Sequence, residues 1–181
     1  LTLLSDTLSC KSSTNKKTPA DPAPELFFDL SLAQWSLHKT IRSGTMSPYD
    51  FAKVASEFGF KGLEYVNGLY PDVMNSENKT TALQTFVEKN KALAKQYNVK
   101  NVLIMIDDEG DLSSSEEQER MNAIENHKLW IDAAHQMGCT AVRLNLHGEK
   151  EEAKWIKNSI ESLSALSEYA APFNINVIVE N

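Results

Sequence analysis

The stretch TAVRLNLH, residues 140–147, decides how this chain folds. Side chains of a strand alternate between two faces. Val142, Leu144 and Leu146 therefore share one face, and Arg143, Asn145 and His147 share the other. The apolar face is suited to packing on helices. The face carrying a guanidinium, an amide and an imidazole toward the strand's C-terminal end points into a polar cavity.

Further strands lie on both sides of it. NVLIMI (101–106) is apolar on both faces, as a covered parallel strand should be. KGLEYV (61–66) is another strand, LFFDLSLAQWSL (26–37) is the first strand-like run, and INVIVEN (175–181) is the fifth strand. Helical patterns fill the intervals. In SPYDFAKVASEFG, Ser47 is an N-cap, Pro48 fits the first helical position, and Asp50 sits near the positive helix end. Phe51, Val54, Ala55 and Phe58 fall on one face, and Gly59 ends the helix. A second helix is expected over 80–97, with Leu83, Phe86, Val87, Asn90, Ala94 and Tyr97 inward. A third follows the acidic run DDEGDLSSSEEQER, where Ser113 and Glu116 have capping-box spacing; Met121, Ile124, Ile131 and Ala134 form its inner face. A fourth spans 150–171, with Ala153, Ile156, Ile160, Leu163 and Ala170 inward and Pro172 ending it.

Five strands thus alternate with four helices, and strand starts lie about 30 to 40 residues apart. Right-handed β-α-β units of that length build parallel sheets. Two α/β architectures fit: an open doubly wound sheet, or a (β/α)8 barrel of TIM type cut after its fifth strand. No Gly-rich phosphate loop follows any strand, so the nucleotide-binding form of the open sheet lacks support.

Glu64 and Glu180 are isolated carboxylates in apolar strands, and a buried carboxylate needs a partner, a proton or a metal. Arg143 could serve either one as a structural ion pair. Three strands delivering polar groups at the same end favour a functional site. His38 follows the first strand, where a substrate could reach it. Trp35 reads as core filler, with sugar stacking as its other reading. Asp107, Asp108 and Glu109 read as a solvated acidic loop, His127 as a satisfied core histidine, and Cys139 as a small buried hydrophobe.

The 181 residues suit one domain, taken as 26–181, behind a leader and linker over 1–25. A net charge of −7 repels phosphate backbones and excludes nucleic acid as the expected partner. No apolar run reaches the ~20 residues of a membrane span. LTLLSDTLSC followed by KSSTNKKTPADPAPE resembles the end of a bacterial lipoprotein signal, which would make Cys10 a lipidated N-terminus and place the protein in the cell envelope or periplasm. Asp6 argues against that reading, and a leader with an incidental cysteine in a cytoplasmic protein is the other one.

LSLAQWSLHK, GFKGLEYV, HKLWIDAAHQMGCTAVRLN and NVIVEN, taken in order, resemble the xylose-isomerase-like TIM barrels, the sugar phosphate isomerases and epimerases related to endonuclease IV. The resemblance covers residues 26–181. It implies one divalent metal (Mn, Mg, Zn or Co) held by a Glu at the end of the fifth strand, then an Asp, a His and a second Glu from later strands. Glu180 matches the first ligand and, by the same resemblance, a catalytic acid/base; the remaining ligands have no counterpart in this chain. Glu64, Arg143, Asn145 and His38 would lie around a small carbohydrate substrate. The implied reaction is isomerisation or epimerisation by proton transfer next to a carbonyl, through an enediolate. A lyase or dehydratase acting on a keto-sugar or cyclitol, and a non-catalytic carbohydrate-binding protein, are the alternatives. The chain is expected to be a fragment that is inactive alone.

Overall fold

The computed structural model describes residues 27–180; the leader and linker read over 1–25, with Cys10, lie outside the described residues. Five strands form one sheet: β1 (Ser31–Ala33), β2 (Gly62–Val66), β3 (Lys100–Ile106), β4 (Ala141–Leu144) and β5 (Asn176–Val179). Every pairing is parallel, and the spatial order is the chain order, β1 to β5. An open doubly wound sheet reverses its strand order at a switch point. Here the winding never reverses, so right-handed crossovers put all the helices on one side. The sheet is an arc of a barrel, which resolves the choice left by the sequence.

There are six helices among the described residues: α1 (His38–Arg42), α2 (Phe51–Glu57), α3 (Pro71–Met74), α4 (Lys79–Gln96), α5 (Glu117–Met137) and α6 (Glu152–Ala170). Of these, α2, α4, α5 and α6 pack on the sheet, while α1 and α3 lie against the turn after β2. The short α1 and α3 add to the four expected. No helix among the described residues is long and apolar enough to cross a membrane. The outward strand residues Leu63, Tyr65, Ile104, Ile106, Val142 and Leu144 are buried beneath the helices. Edge-to-face aromatic pairs join the layers: Phe51 to Tyr65 at 5.5 Å, Tyr70 to Phe86 at 4.7 Å, and Phe86 to Trp130 at 5.4 Å between ring centres.

A bulge in β3 decides which residues face the barrel interior. Leu63 pairs with Asn101, but Glu64 pairs with Leu103, so Val102 is an extra residue. A one-residue shift flips every later side chain to the other face. Leu103, Met105 and, beyond the strand, Asp107 therefore face inward beside Ala141, Arg143 and Asn145. Gly62 makes room for this. A Cβ there would lie 2.8 Å from Val102 Cγ2 and 2.9 Å from the Ser31 Cβ.

Four local expectations are corrected. In the first strand-like run only Ser31–Ala33 is strand, and Gln34–Leu37 turns into a 3-10 helix. α2 ends at Glu57, so Phe58 swings outward at the cap and Ala52 takes its place in the core. The Ser47–Asp50 capping box does form. That of Ser113 and Glu116 does not, because α5 starts only at Glu117 and the Ser113 hydroxyl is drawn to the His147 carbonyl. Finally, α6 is rotated: Ile156 and Ile160 are exposed, while Asn158, Ser159 and Ser162 are buried.

Candidate functional site

A cleft of about 650 Å³ opens at the C-terminal ends of the strands. That end of a barrel is where side chains from several strands converge. At its centre lies Asp107, delivered by the β3 bulge. Asn145 Nδ2 donates to Asp107 Oδ1 at 2.6 Å, and Arg143 Nη2 donates to the same oxygen at 3.0 Å. Arg143 Nη1 donates to the Glu180 carboxylate at the end of β5. One guanidinium thus bridges two carboxylates across β3, β4 and β5. Charge-assisted bonds of this kind fix geometry as well as adding energy. Arg143 Nε is buried with no hydrogen-bond partner among the described residues.

Asn67, directly after β2, grips the backbone on either side of this carboxylate. The Asp107 N–H donates to Asn67 Oδ1 at 2.7 Å, and Asn67 Nδ2 donates to the Asp107 carbonyl at 2.8 Å. Asn67 is fully buried, so both amide atoms must be satisfied by protein. In the sequence Asn67-Gly68 is an ordinary turn dipeptide, and nothing in it marks Asn67 for this role.

The loop after Asp107 is pinned to the helices at Glu109 and at residues 112–114, while Asp108, Gly110 and Asp111 stay exposed. Asp108 adopts a left-handed φ of 58°. Glu109 is 5% exposed and accepts from Lys79 Nζ and Trp130 Nε1. Asn158 Nδ2 donates to the Ser113 and Ser114 carbonyls at 3.0 and 3.1 Å, and Ser162 donates to the Leu112 carbonyl at 2.6 Å. Of the three residues read as a solvated acidic loop, Asp108 is exposed, Asp107 is half-buried and Glu109 is buried. They belong to a cleft wall pinned by α4, α5 and α6. The residue types gave no sign of it, because the partners lie 21 to 50 residues away.

Of the residues expected at a site, Arg143, Asn145 and Glu180 come together here. Glu64 does not join them. It lies one layer below, half-buried, and accepts from the Ser31 hydroxyl. His38 is half-buried and does not line the cleft; it is stacked on Trp35 at 4.4 Å with Nδ1 at the Trp35 carbonyl. Trp35 itself lines the cleft, 43% exposed, with the Arg42 guanidinium 4.9 Å from its ring centre. It is a mouth residue and not core filler. Cys139 is buried as expected, and burial pushes its thiol up to about 12.

The fit to a divalent metal is incomplete. Glu180 is taken up by Arg143, and among the described residues no group of three or more His, Cys, Asp or Glu side chains could hold an ion. One carboxylate does not make a site for a cation that wants four to six ligands.

The family model of the xylose isomerase-like TIM barrel matches residues 52–181. Solved structures share the fold. A 3-keto-D-glucoside 4-epimerase from E. coli is 16% identical with a TM-score of 0.57, over 73% of this chain and 50% of its own. A D-allulose 3-epimerase from Methylomonas sp. is 17% identical with a TM-score of 0.56, over 73% and 44%. A probable 3-DHS dehydratase from Bacillus anthracis is 19% identical with a TM-score of 0.60, over 84% and 52%. The chain spans about half the length of the solved structures it matches. No curated protein sequence matches it.

Proposed function

This chain belongs to the xylose isomerase-like TIM barrel family, and from that premise we propose that its cleft handles a small sugar or sugar derivative, interconverting isomers or epimers by proton transfer next to a carbonyl. The observation that carries the reading is the Arg143 bridge between Asp107 and Glu180 at the C-terminal strand ends. Sugar epimerases among the structural neighbours support the substrate class.

In this reading Glu180 takes the proton from the carbon beside the carbonyl and returns it to the opposite face, or to the neighbouring carbon while the adjacent hydroxyl's proton passes to the former carbonyl oxygen. The electron pair left behind moves onto the carbonyl oxygen, giving an enediolate, and no electron leaves the substrate. Arg143 is placed to stabilise that developing negative charge. Asn145 and Asp107 supply a donor and an acceptor for hydroxyl groups, and Asn67 keeps Asp107 from shifting. Trp35 offers an apolar ring face at the mouth. Members of this family commonly use a divalent metal. The described residues do not complete such a site, so no step is assigned to one.

The test is conversion of D-allulose and D-fructose by the whole protein, with stereoisomers separated by chromatography. Interconversion is expected, with at least a hundredfold loss in Arg143→Met. Absence of both conversion and sugar binding overturns the reading.

A further inference from the structure

His127 is not part of the bridge described above, yet it belongs to the same cleft. It sits on α5 at 2% exposure and forms part of the cleft wall. Its Nδ1 lies 2.7 Å from the Ala123 carbonyl, one helical turn back. A carbonyl only accepts, so Nδ1 carries the proton. Burial holds the ring's pKa below its ordinary value, opposed by that carbonyl and by Glu109, and the neutral imidazole is the resting form. In a neutral ring protonated at Nδ1, Nε2 is a bare lone pair.

That lone pair has no hydrogen-bond partner among the described residues. Nor is it sealed in the core. Arg143 Nε and Ser159 Oγ are the buried side-chain atoms left without partners, and His127 Nε2 is not among them. It opens on the cleft. The tautomer is fixed from behind by the helix, and Asn126 and Trp130, either side of His127 along α5, both donate to Glu109 and so tie this stretch of the helix to the pinned loop. An acceptor held in one orientation on the cleft wall is matched by a ligand donor that enters the cleft.

We infer that His127 is a substrate-binding residue, whose Nε2 accepts a hydrogen bond from a hydroxyl of the sugar in the cleft. The inference rests on the proposed function for the class of ligand. A neutral imidazole accepts from a hydroxyl and gains nothing from a phosphate or a carboxylate. The contact therefore selects an uncharged polyol end over an anionic one, in keeping with the carboxylates at Asp108 and Asp111 along the same wall.

The experiment is long-range proton–nitrogen NMR of the His127 ring in the ¹⁵N-labelled whole protein, titrated with D-fructose, D-allulose and D-tagatose, with calorimetry in parallel. The expected result is an unprotonated Nε2 in the free protein that shifts on adding at least one of the sugars. His127→Asn, whose amide N–H can still serve the Ala123 carbonyl but whose oxygen is too short to reach the position of Nε2, should weaken that sugar's binding at least tenfold in protein that remains folded at the assay temperature. A protonated Nε2 in the free protein, or one that no sugar moves, overturns the inference. If calorimetry still records sugar binding in that case, only the role of His127 falls. If no heat is recorded either, the proposed function falls with it.

Discussion

α5 and α6 are almost the same length, 21 and 19 residues, and both pack on the outer side of the sheet, yet they bury opposite kinds of side chain. α5 hides Trp130, Ile131, Ala134 and Met137. α6 hides Asn158, Ser159 and Ser162 along its first half and leaves Ile156 and Ile160 at 44% and 60% exposure. Both helices hold the loop after β3. α5 does so through the Trp130 ring and its N–H on Glu109, and α6 through amide and hydroxyl donors on loop carbonyls. The loop backbone has turned away from any sheet partner, so its carbonyls need donors, and a buried polar stripe supplies them. A polar helix face can be the inner face when what it covers is a loop.

The substitution expected to do most damage to this contrast is Trp130→Ala. It empties a fully buried site and strips Glu109 of a donor. A loss of about 3–5 kcal/mol in urea unfolding is expected, as for other large-to-small core changes. Asn158→Ala, on the polar helix, should cost about 1–3 kcal/mol by leaving two carbonyls unsatisfied. It should also speed amide hydrogen exchange over residues 112–116 more than elsewhere. A smaller effect is expected from pH. His127 has its pKa lowered in the folded state, so below about 6.5 the unfolded chain binds the proton more readily than the folded one. Stability should therefore fall as pH drops through that value toward the folded pKa. The Tm of His127→Gln should show a flatter acid limb than wild type. Least of all, Ile160→Ser in the 181-residue chain should change stability by no more than about 0.5 kcal/mol, because that side chain is 60% exposed. A large cost there would mean that the outer stripe of α6 is covered after all.

The polar face of β4 could be read directly, because Arg143 and Asn145 alternate with apolar neighbours and the period of a strand leaves no choice of side. The arc of five strands could be read from the spacing of the apolar runs. Asp107 could not. After Asn101, NVLIMI is apolar at every position, so nothing in it marks the bulge at Val102 that turns Asp107 inward. The inner face of α6 was misread for a related reason. Two stripes of the right period exist on that helix, one apolar and one of Asn and Ser, and only the position of the β3 loop decides between them. Glu64 and His38 were placed by rules that hold for one strand at a time. Their local neighbours, Ser31 and Trp35, hold them away from the cleft.

The central claim is that the strand ends carrying Asp107, Arg143, Asn145 and Glu180 move a proton on carbon. The most direct measurement is deuterium uptake from D2O into the carbon-bound positions beside the carbonyl of D-fructose, D-allulose or D-tagatose, read by mass spectrometry and NMR with the whole protein and added Mn²⁺. The account predicts uptake into at least one of these sugars with wild type and none with Glu180→Gln. Uptake that persists in Glu180→Gln, or its absence in wild type while the sugar is bound, would contradict it.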